Sequence, residues 1–252
     1  MDVSIIIACY NGENILEKGV KKIDQILEKT RYSYEIIFVD DHSQDNTRAI
    51  INRLVKEKNN RKALFHEFNV GRGGTVADGM KIAQGIMVGF IDIDLQTPAW
   101  YIPALISSIE NGNDIATAKR VYKLNLGIVK APHRFLAHKV YRMLLRYLIK
   151  TNLTDTETGC KFFKRSKILP VLDETEDKHW FWDTEIMIRS YYKGLKIEEV
   201  PTIFIRNESS SSTVRFFKDV KHYVKNLARF VPEARRMRDG TANNTRRTTG
   251  QK

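Results

Sequence analysis

Cysteine is scarce in this chain, with only Cys9 and Cys160 among 252 residues, both in apolar-flanked segments. There is no CxxC pair and no Cys/His spacing suited to zinc, so a disulfide framework and a structural zinc module are both excluded. Both thiols are expected to stay reduced. Long apolar runs are missing too. The longest, Val3 to Tyr10 and Ile86 to Ile91, fall far short of the roughly 20 residues a membrane span needs. The chain opens on a strand-like run with no signal-peptide pattern. A cytoplasmic protein is the expectation, with attachment to a membrane surface left open. Acidic residues are in deficit: 30 Asp and Glu stand against 42 Lys and Arg, a formal charge of +12. That excess favours anionic partners, whether nucleic acid, anionic lipid headgroups or phosphorylated small molecules.

What is present is an ordinary globular composition, 42% hydrophobic and 29% charged, enough for one large α/β domain or two small ones. Val3 to Ala8 is β-branched and unbroken, the pattern of a strand covered on both faces. Ile15, Leu16, Gly19, Val20, Ile23, Ile26 and Leu27 then form a helical stripe. Tyr34 to Val39 is a second strand, followed by a helix starting near Ser43 to Asn46. Lys62 to His66 is a weaker strand, Val76 to Gln84 a helix, and Ile86 to Ile93 a fourth strand. Strand–helix alternation at this spacing predicts βαβ units and a mostly parallel central sheet flanked by helices. The second half is less regular, with a helix at Ile102 to Asn111, a short strand at Asp114 to Ala118, a helix at Trp182 to Tyr192 and a late strand in "IEEVPTIFIR". There is no internal repeat.

Two acidic clusters end core strands: Asp40-Asp41 and Asp92-x-Asp94. In an open parallel sheet the carboxyl ends of the strands are where ligands bind. A carboxylate leaving water there needs a partner. Alternate strand positions point to opposite faces, so Asp92 and Asp94 can share one ion only if the strand has ended. A hard cation, Mg²⁺ or Mn²⁺, takes such oxygen ligands and bridges them to substrate phosphates. The competing reading of the pair is helix capping or salt bridging. Asp40 or Asp41 can accept hydrogen bonds from a base N–H or a ribose hydroxyl, whereas Ser43 or Asp45 suits a helix cap. The turn "NVGRGGT" sets Arg72 among three glycines, which permit close backbone approach, and its guanidinium can meet a phosphate bidentately. It is neither a Walker loop nor a GxGxxG, and a plain tight connection would look the same.

"SIIIACYNGEN", "EIIFVDDHSQDNT", "NVGRGGTVADGM", "FIDIDLQTP", "DTETGCKFFKR" and "FWDTEIMIRSYYKGLKIEEVP" follow one another in order. Together they resemble family 2 nucleotide-sugar glycosyltransferases of GT-A fold, specifically the dolichol-phosphate mannosyltransferase-like branch that glycosylates polyprenyl phosphates. The likeness spans about Asp2 to Phe230. It implies a nucleotide-sugar site at Ala8, Tyr10, Asp40, Asp41, Arg72, Asp92, Asp94 and Gln96, with Asp92 and Asp94 holding Mg²⁺ or Mn²⁺. Arg120 and Arg206 match phosphate-handling arginines, and Arg134 and His138 fall near the acceptor phosphate. The catalytic set implied is Asp94, Arg120, Arg134 and Arg206. Ala8 replaces the family's usual proline and Gly12 its glutamate, with Glu13 next door. "SSSST" replaces a Gly-x-Ser-Lys segment, so that Arg215 would supply the missing charge at the acceptor.

The resemblance implies inversion at the anomeric carbon of a hexose taken from a GDP- or UDP-linked donor. A lipid-phosphate acceptor is already anionic near neutral pH and needs clamping, not a base. A saccharide hydroxyl, the alternative acceptor, needs a carboxylate base, for which Asp183 and Glu185 are candidates. Between Lys119 and Lys150 nine Lys or Arg occur and no Asp or Glu. There Phe135, Leu136, Val140, Met143, Leu144, Tyr147 and Leu148 form an apolar stripe beside a basic one. That segment and the amphipathic stretch 214–238 either rest on an anionic bilayer, which attracts each nearby Lys or Arg by roughly 1 kcal/mol, or pack on the core. The expected organisation is a transferase domain over 1–213, an amphipathic segment over 214–238 and a basic, disordered tail over 239–252. Expected partners are the donor, a polyprenyl or dolichyl phosphate or glycan acceptor, the inner face of a membrane, and a membrane-spanning protein that would replace helices found in some relatives. Nucleic acid is not expected, since carboxylates at strand ends repel a phosphate backbone.

Overall fold

The computed structural model describes residues 1–121, 143, 145–205 and 216–249, with side chains only for 223–240 in the last stretch. In chain order the elements are β1 (Val3–Cys9), α1 (Leu16–Leu27), β2 (Tyr34–Asp40), α2 (Thr47–Glu57), β3 (Arg61–Phe65), α3 (Arg72–Ile82) and β4 (Met87–Ile91). There follow α4 (Ile102–Glu110), β5 (Ile115–Val121), β6 (Cys160–Lys164), α5 (Arg165–Leu172), α6 (Trp182–Tyr192), β7 (Ile197–Ile203) and α7 (Phe216–Thr249). The strands form one sheet in the order β3-β2-β1-β4-β6-β5-β7. β6 runs antiparallel to both neighbours and the other strands run parallel.

The unbroken apolar strands are explained by burial on both faces. In β1, Ile5 and Ile7 pack with α1, α2 and α4 on one side, while Ile6 faces α3, α5 and α6 on the other. This is the period of two expected of a pleated strand. A third cluster joins α6 to α7 through Phe181, Ile188, Leu227 and Phe230, with Leu145 and Ile149 of a π-turn beneath them. α7 is fastened further by the Arg189–Glu233 ion pair and by Thr184 to the Tyr223 hydroxyl.

Several boundaries differ from the sequence reading. β4 stops at Ile91, not Ile93, because β6 pairs only as far as Ile91↔Cys160. α3 begins at Arg72, inside the glycine-rich turn, rather than at Val76. The glycines there serve close packing: a Cβ on Gly73 would lie 2.3 Å from Trp182 Cβ. β6 and α5 do not follow from the apolar pattern, since "CKFFK" is short and carries a lysine at its second and last positions. α7 continues past residue 238 into the stretch expected to be a disordered tail.

The described part of the 143–150 segment keeps its predicted stripe only at Leu148, which packs on the α6–α7 cluster. Met143 and Tyr147 are 63% and 81% exposed, while Leu145 and Ile149 are buried. A π-turn holds more residues per turn than an α-helix, so the phase of a 3.6-residue stripe is not kept.

Candidate active site

Topology brings the motif residues to one edge. β1 has β2 on one side and β4 on the other, the arrangement that opens a crevice beyond the carboxyl ends. Tyr10 follows β1, Asp40 and Asp41 end β2, and Asp92 follows β4. Because β6 is reversed, its amino end arrives at the same edge and the Asp92 N–H donates to Gly159 O at 2.7 Å. Non-glycine residues with left-handed backbone stand just beyond β1, β2 and β4: Asn11, His42 and Leu95.

The two acids ending β2 divide the work. Asp41 Oδ1 accepts the Val70 N–H at 2.8 Å and Oδ2 the Gly71 N–H at 3.0 Å, with His66 Nδ1 3.1 Å away. Asp41 thus clamps the turn that starts α3. Asp40 is fully buried; its Oδ2 lies 3.6 Å from Arg48 Nε, and its Oδ1 has no hydrogen-bond partner among the described residues. The open buried acceptor therefore belongs to Asp40, not to Asp41. Tyr10, just after β1, is 45% exposed, and Ala8 is partly buried against the α3-side core. "HSQDNT" cross-links the neighbouring loops: Asp45 accepts N–H bonds from Glu13 and Thr47, and Ser43 one from Asn11.

With β4 ended at Ile91, Asp92 and Asp94 sit in a turn and are no longer bound to opposite faces. Arg72 donates Nε and Nη2 to Asp92 Oδ1, at 3.0 and 2.7 Å. Oδ2 has no hydrogen bond to a described residue, and 40% of the side chain is open to solvent. Asp94 is held by Gln96, through its backbone N–H at 3.3 Å and Nε2 at 2.5 Å. Desolvation in its recess pushes the Asp92 carboxyl up; Arg72 opposes that shift and the charge of Asp94 adds to it.

This donor set suits a hard divalent ion. It offers carboxylate oxygen and no thiol or imidazole, with one Asp92 oxygen free of hydrogen bonds. Among the described residues no cluster of three or more His, Cys, Asp or Glu forms a complete cage. Diphosphate oxygens and water would complete the coordination, as is usual for Mg²⁺.

The cations and the proposed bases are already paired. Arg120, near the end of β5, gives Asp155 its backbone N–H, Nε and Nη2, and reaches Glu157 at 3.4 Å. Asp183 is buried between Arg72 and the fully buried Lys161. Glu185 accepts the Glu176 and Asp177 N–H groups and pairs with Arg189, so it organises the loop before α6. Asp183 and Glu185, the candidate bases, are thus each engaged by cations. Arg134, His138, Arg206 and Arg215 lie outside the described residues. Cys9 and Cys160 are buried free thiols pushed up by burial, unsuited to nucleophilic work.

Residues 4–169 match the family described as glycosyl transferase family 2. The chain belongs to that family. Among curated glycosyl transferases, AglD of Haloferax volcanii is 28% identical over 204 residues, covering 80% of this chain and 32% of its own length. Dolichyl-phosphate beta-glucosyltransferase of Saccharomyces cerevisiae is 27% identical over 220 residues, 79% of this chain and 65% of its own. Undecaprenyl-phosphate 4-deoxy-4-formamido-L-arabinose transferase of Pseudomonas fluorescens is 27% identical over 197 residues, 74% and 56% respectively. The chain thus spans from a third to two thirds of the length of these relatives.

Among solved structures, glucosyl-3-phosphoglycerate synthase from Mycobacterium tuberculosis, in complex with Mn²⁺, uridine diphosphate and phosphoglyceric acid, superimposes with a TM-score of 0.68 at 14% identity. The match covers 92% of this chain and 78% of that one. The fold is the GT-A fold expected from the sequence.

Asp155, Glu157, Gly159 and Lys161 were not singled out as site residues. "DTETGCKFFKR" carried the signal as a motif, and the lysine inside its apolar run was the specific hint.

Proposed function

We propose that this glycosyl transferase family 2 chain is the catalytic domain of an inverting, divalent-metal-dependent enzyme. It moves a hexose from a GDP- or UDP-linked donor to a polyprenyl or dolichyl phosphate at the inner face of a membrane. The observation that carries the proposal is a juxtaposition at one sheet edge. Among the described residues, the fully buried Asp40 has one oxygen without a hydrogen-bond partner, suited to a nucleoside N–H or hydroxyl, and Asp92 has one without a hydrogen bond, suited to a cation. Two of the curated relatives carry a polyprenyl-type phosphate acceptor in their names, which supports the same reading.

Asp92 and Asp94 would hold Mg²⁺ or Mn²⁺, which neutralises charge on the departing diphosphate. The rest falls to the chain itself. Asp40 fixes the nucleoside, Tyr10 stands open at the mouth to cover a base, and Gln96 sets Asp94. Asp155 and Glu157 aim Arg120 toward the acceptor side, where Arg134, His138, Arg206 and Arg215 are assigned as further phosphate contacts. Asp183 and Glu185 are both locked into ion pairs, which favours an acceptor that is anionic without a base. Exposed Met143 and Tyr147, with Arg146 and Lys150 on the same short segment, suit contact with an anionic bilayer. Among the described residues no helix is long and apolar enough to cross a membrane.

The test is transfer by the purified protein with Mn²⁺, offering short polyprenyl phosphates beside simple sugars. Product on the lipid phosphate, abolished by Asp94→Ala with the fold retained, is the expected result. Transfer only to sugars would establish the hydroxyl-acceptor alternative instead. Unaltered turnover in Asp94→Ala would defeat the site assignment.

A further inference from the structure

We propose that Arg72 is a resident counter-ion of the donor site. Anchored from behind by the buried pair Asp183 and Lys161, it occupies Asp92 Oδ1 in the metal-free protein and holds metal affinity low until a nucleoside diphosphate arrives. The inference rests on Asp92 being a metal ligand and says what controls it.

Four charges alternate in a chain from the core to the crevice. Lys161 Nζ, fully buried in β6, donates to Asp183 Oδ1 at 2.6 Å and to Thr158 O at 2.5 Å. Asp183 Oδ2 accepts Arg72 Nη1, and Arg72 Nε and Nη2 both reach Asp92 Oδ1. The guanidinium is confined by aromatic rings, 5.3 Å from the Phe90 centroid and 5.6 Å from that of Trp180. Its charge is firmly kept: burial works against it, but Asp183 and Asp92 outweigh burial and hold its pKa above the usual value.

Such a chain is a costly way to fill space. Buried ion pairs are often replaceable by apolar residues with no loss of stability, and the neighbouring Phe90, Phe163 and Trp182 show that the region packs well with apolar groups. What the chain supplies is direction. Lys161 occupies one oxygen of Asp183, leaving the other for Arg72, so the guanidinium cannot withdraw into a two-oxygen pair with Asp183 and stays on Asp92. Lys161 and Asp183 are therefore positioning residues that act through Arg72. A divalent ion arriving alone meets a cation at its carboxylate. A diphosphate arriving with the ion brings anionic oxygens that compensate both. Metal and donor binding are coupled by this guanidinium.

Mn²⁺ affinity of the full chain, read from the free-ion electron paramagnetic resonance signal, tests the proposal, with melting temperature recorded for each variant. Arg72→Met should bind Mn²⁺ alone about tenfold more tightly, since a unit charge a few Å from the ion is removed. Asp183→Asn, which removes a nearby anion and leaves Asp92 as the only carboxylate paired with Arg72, should bind it several-fold more weakly. A general loss of structure would move both variants the same way. Uridine or guanosine diphosphate should narrow the gap between wild type and Arg72→Met.

Equal or weaker Mn²⁺ binding by Arg72→Met overturns the proposal. If Asp92→Asn leaves Mn²⁺ affinity unchanged, the donor-site reading itself fails. If Asp92→Asn weakens affinity while Arg72→Met does not raise it, only the counter-ion proposal fails. Should Arg72→Met not fold, the wild type still decides: the Arg72 Nε–H resonance must shift on Mg²⁺ saturation, and an unmoved resonance contradicts displacement from Asp92.

Discussion

At the scale of single residues, the site is made by acids whose oxygens are assigned one at a time. Asp41 spends both oxygens on the backbone of the α3 turn, so truncating it would strand buried N–H groups at about 1–3 kcal/mol each. Asp40 keeps one oxygen uncommitted in a buried place, which a native protein rarely tolerates without a purpose. Asn11, His42 and Leu95 hold left-handed backbone at the same edge, the kind of local strain that collects at functional sites. Gly159 is the least conspicuous member. A Cβ there would lie 1.8 Å from Asp92 Oδ2 and 2.3 Å from its Cγ, so Gly159→Ala must push the carboxylate aside. Calorimetry with Mn²⁺ and nucleoside diphosphate should show at least tenfold weaker binding in Gly159→Ala, with the far-ultraviolet spectrum unchanged. Equal affinity would mean that Asp92 can move freely and does not depend on this fit.

At the scale of elements, β2 shows how one strand serves fold and function at opposite ends. Its carboxyl end carries Asp40 and Asp41, while Glu35 near its amino end is buried and ties β2 to its surroundings. Glu35 accepts the Ser4 hydroxyl at 2.6 Å and the Gln84 N–H at 2.8 Å, with Lys62 Nζ 2.8 Å away. Burial alone would raise its pKa, but these partners together outweigh burial and hold it below the ordinary value. A carboxylate depressed in this way stabilises the fold above its unfolded pKa of about 4.3, and the contribution is lost as pH falls through the lower folded value. The melting-temperature gap between wild type and Glu35→Gln should be widest near neutral pH and should close below about pH 4. A gap that persists in acid would show that the charge of Glu35 is not what matters. The parallel half of the sheet was legible in the sequence because β1, β2 and β4 are doubly covered and uninterrupted. β6 was not, since Lys161 interrupts its apolar run and its pairing with β4 and β5 is long-range. The edges of β4 and α3 were misplaced by two and four residues because apolar pattern does not record where a partner strand stops or where glycines enter a helix.

At the scale of the whole molecule, α7 packs on the sheet-and-helix fold through α6. The sequence marks 214–238 as amphipathic without saying which of its apolar residues face the core. Leu227 and Phe230 are buried against α6 and Tyr223 packs beside them, while Val224 remains exposed. Composition can show that a helix is amphipathic, but only the packing shows which residues are left over for another surface. Much of the site was visible in the order of six motifs. Which of two adjacent acids keeps an open oxygen, and that Arg72 faces a carboxylate rather than empty space, required the arrangement in three dimensions. The measurement that tests the central claim most directly is calorimetric binding of nucleotide sugars with Mn²⁺ present and then removed by chelation, for wild type, Asp92→Asn and Asp94→Asn. The account predicts binding of a GDP- or UDP-linked sugar by the wild type that vanishes on chelation and falls at least tenfold in either variant. Binding that survives chelation, or that neither substitution weakens, would contradict it.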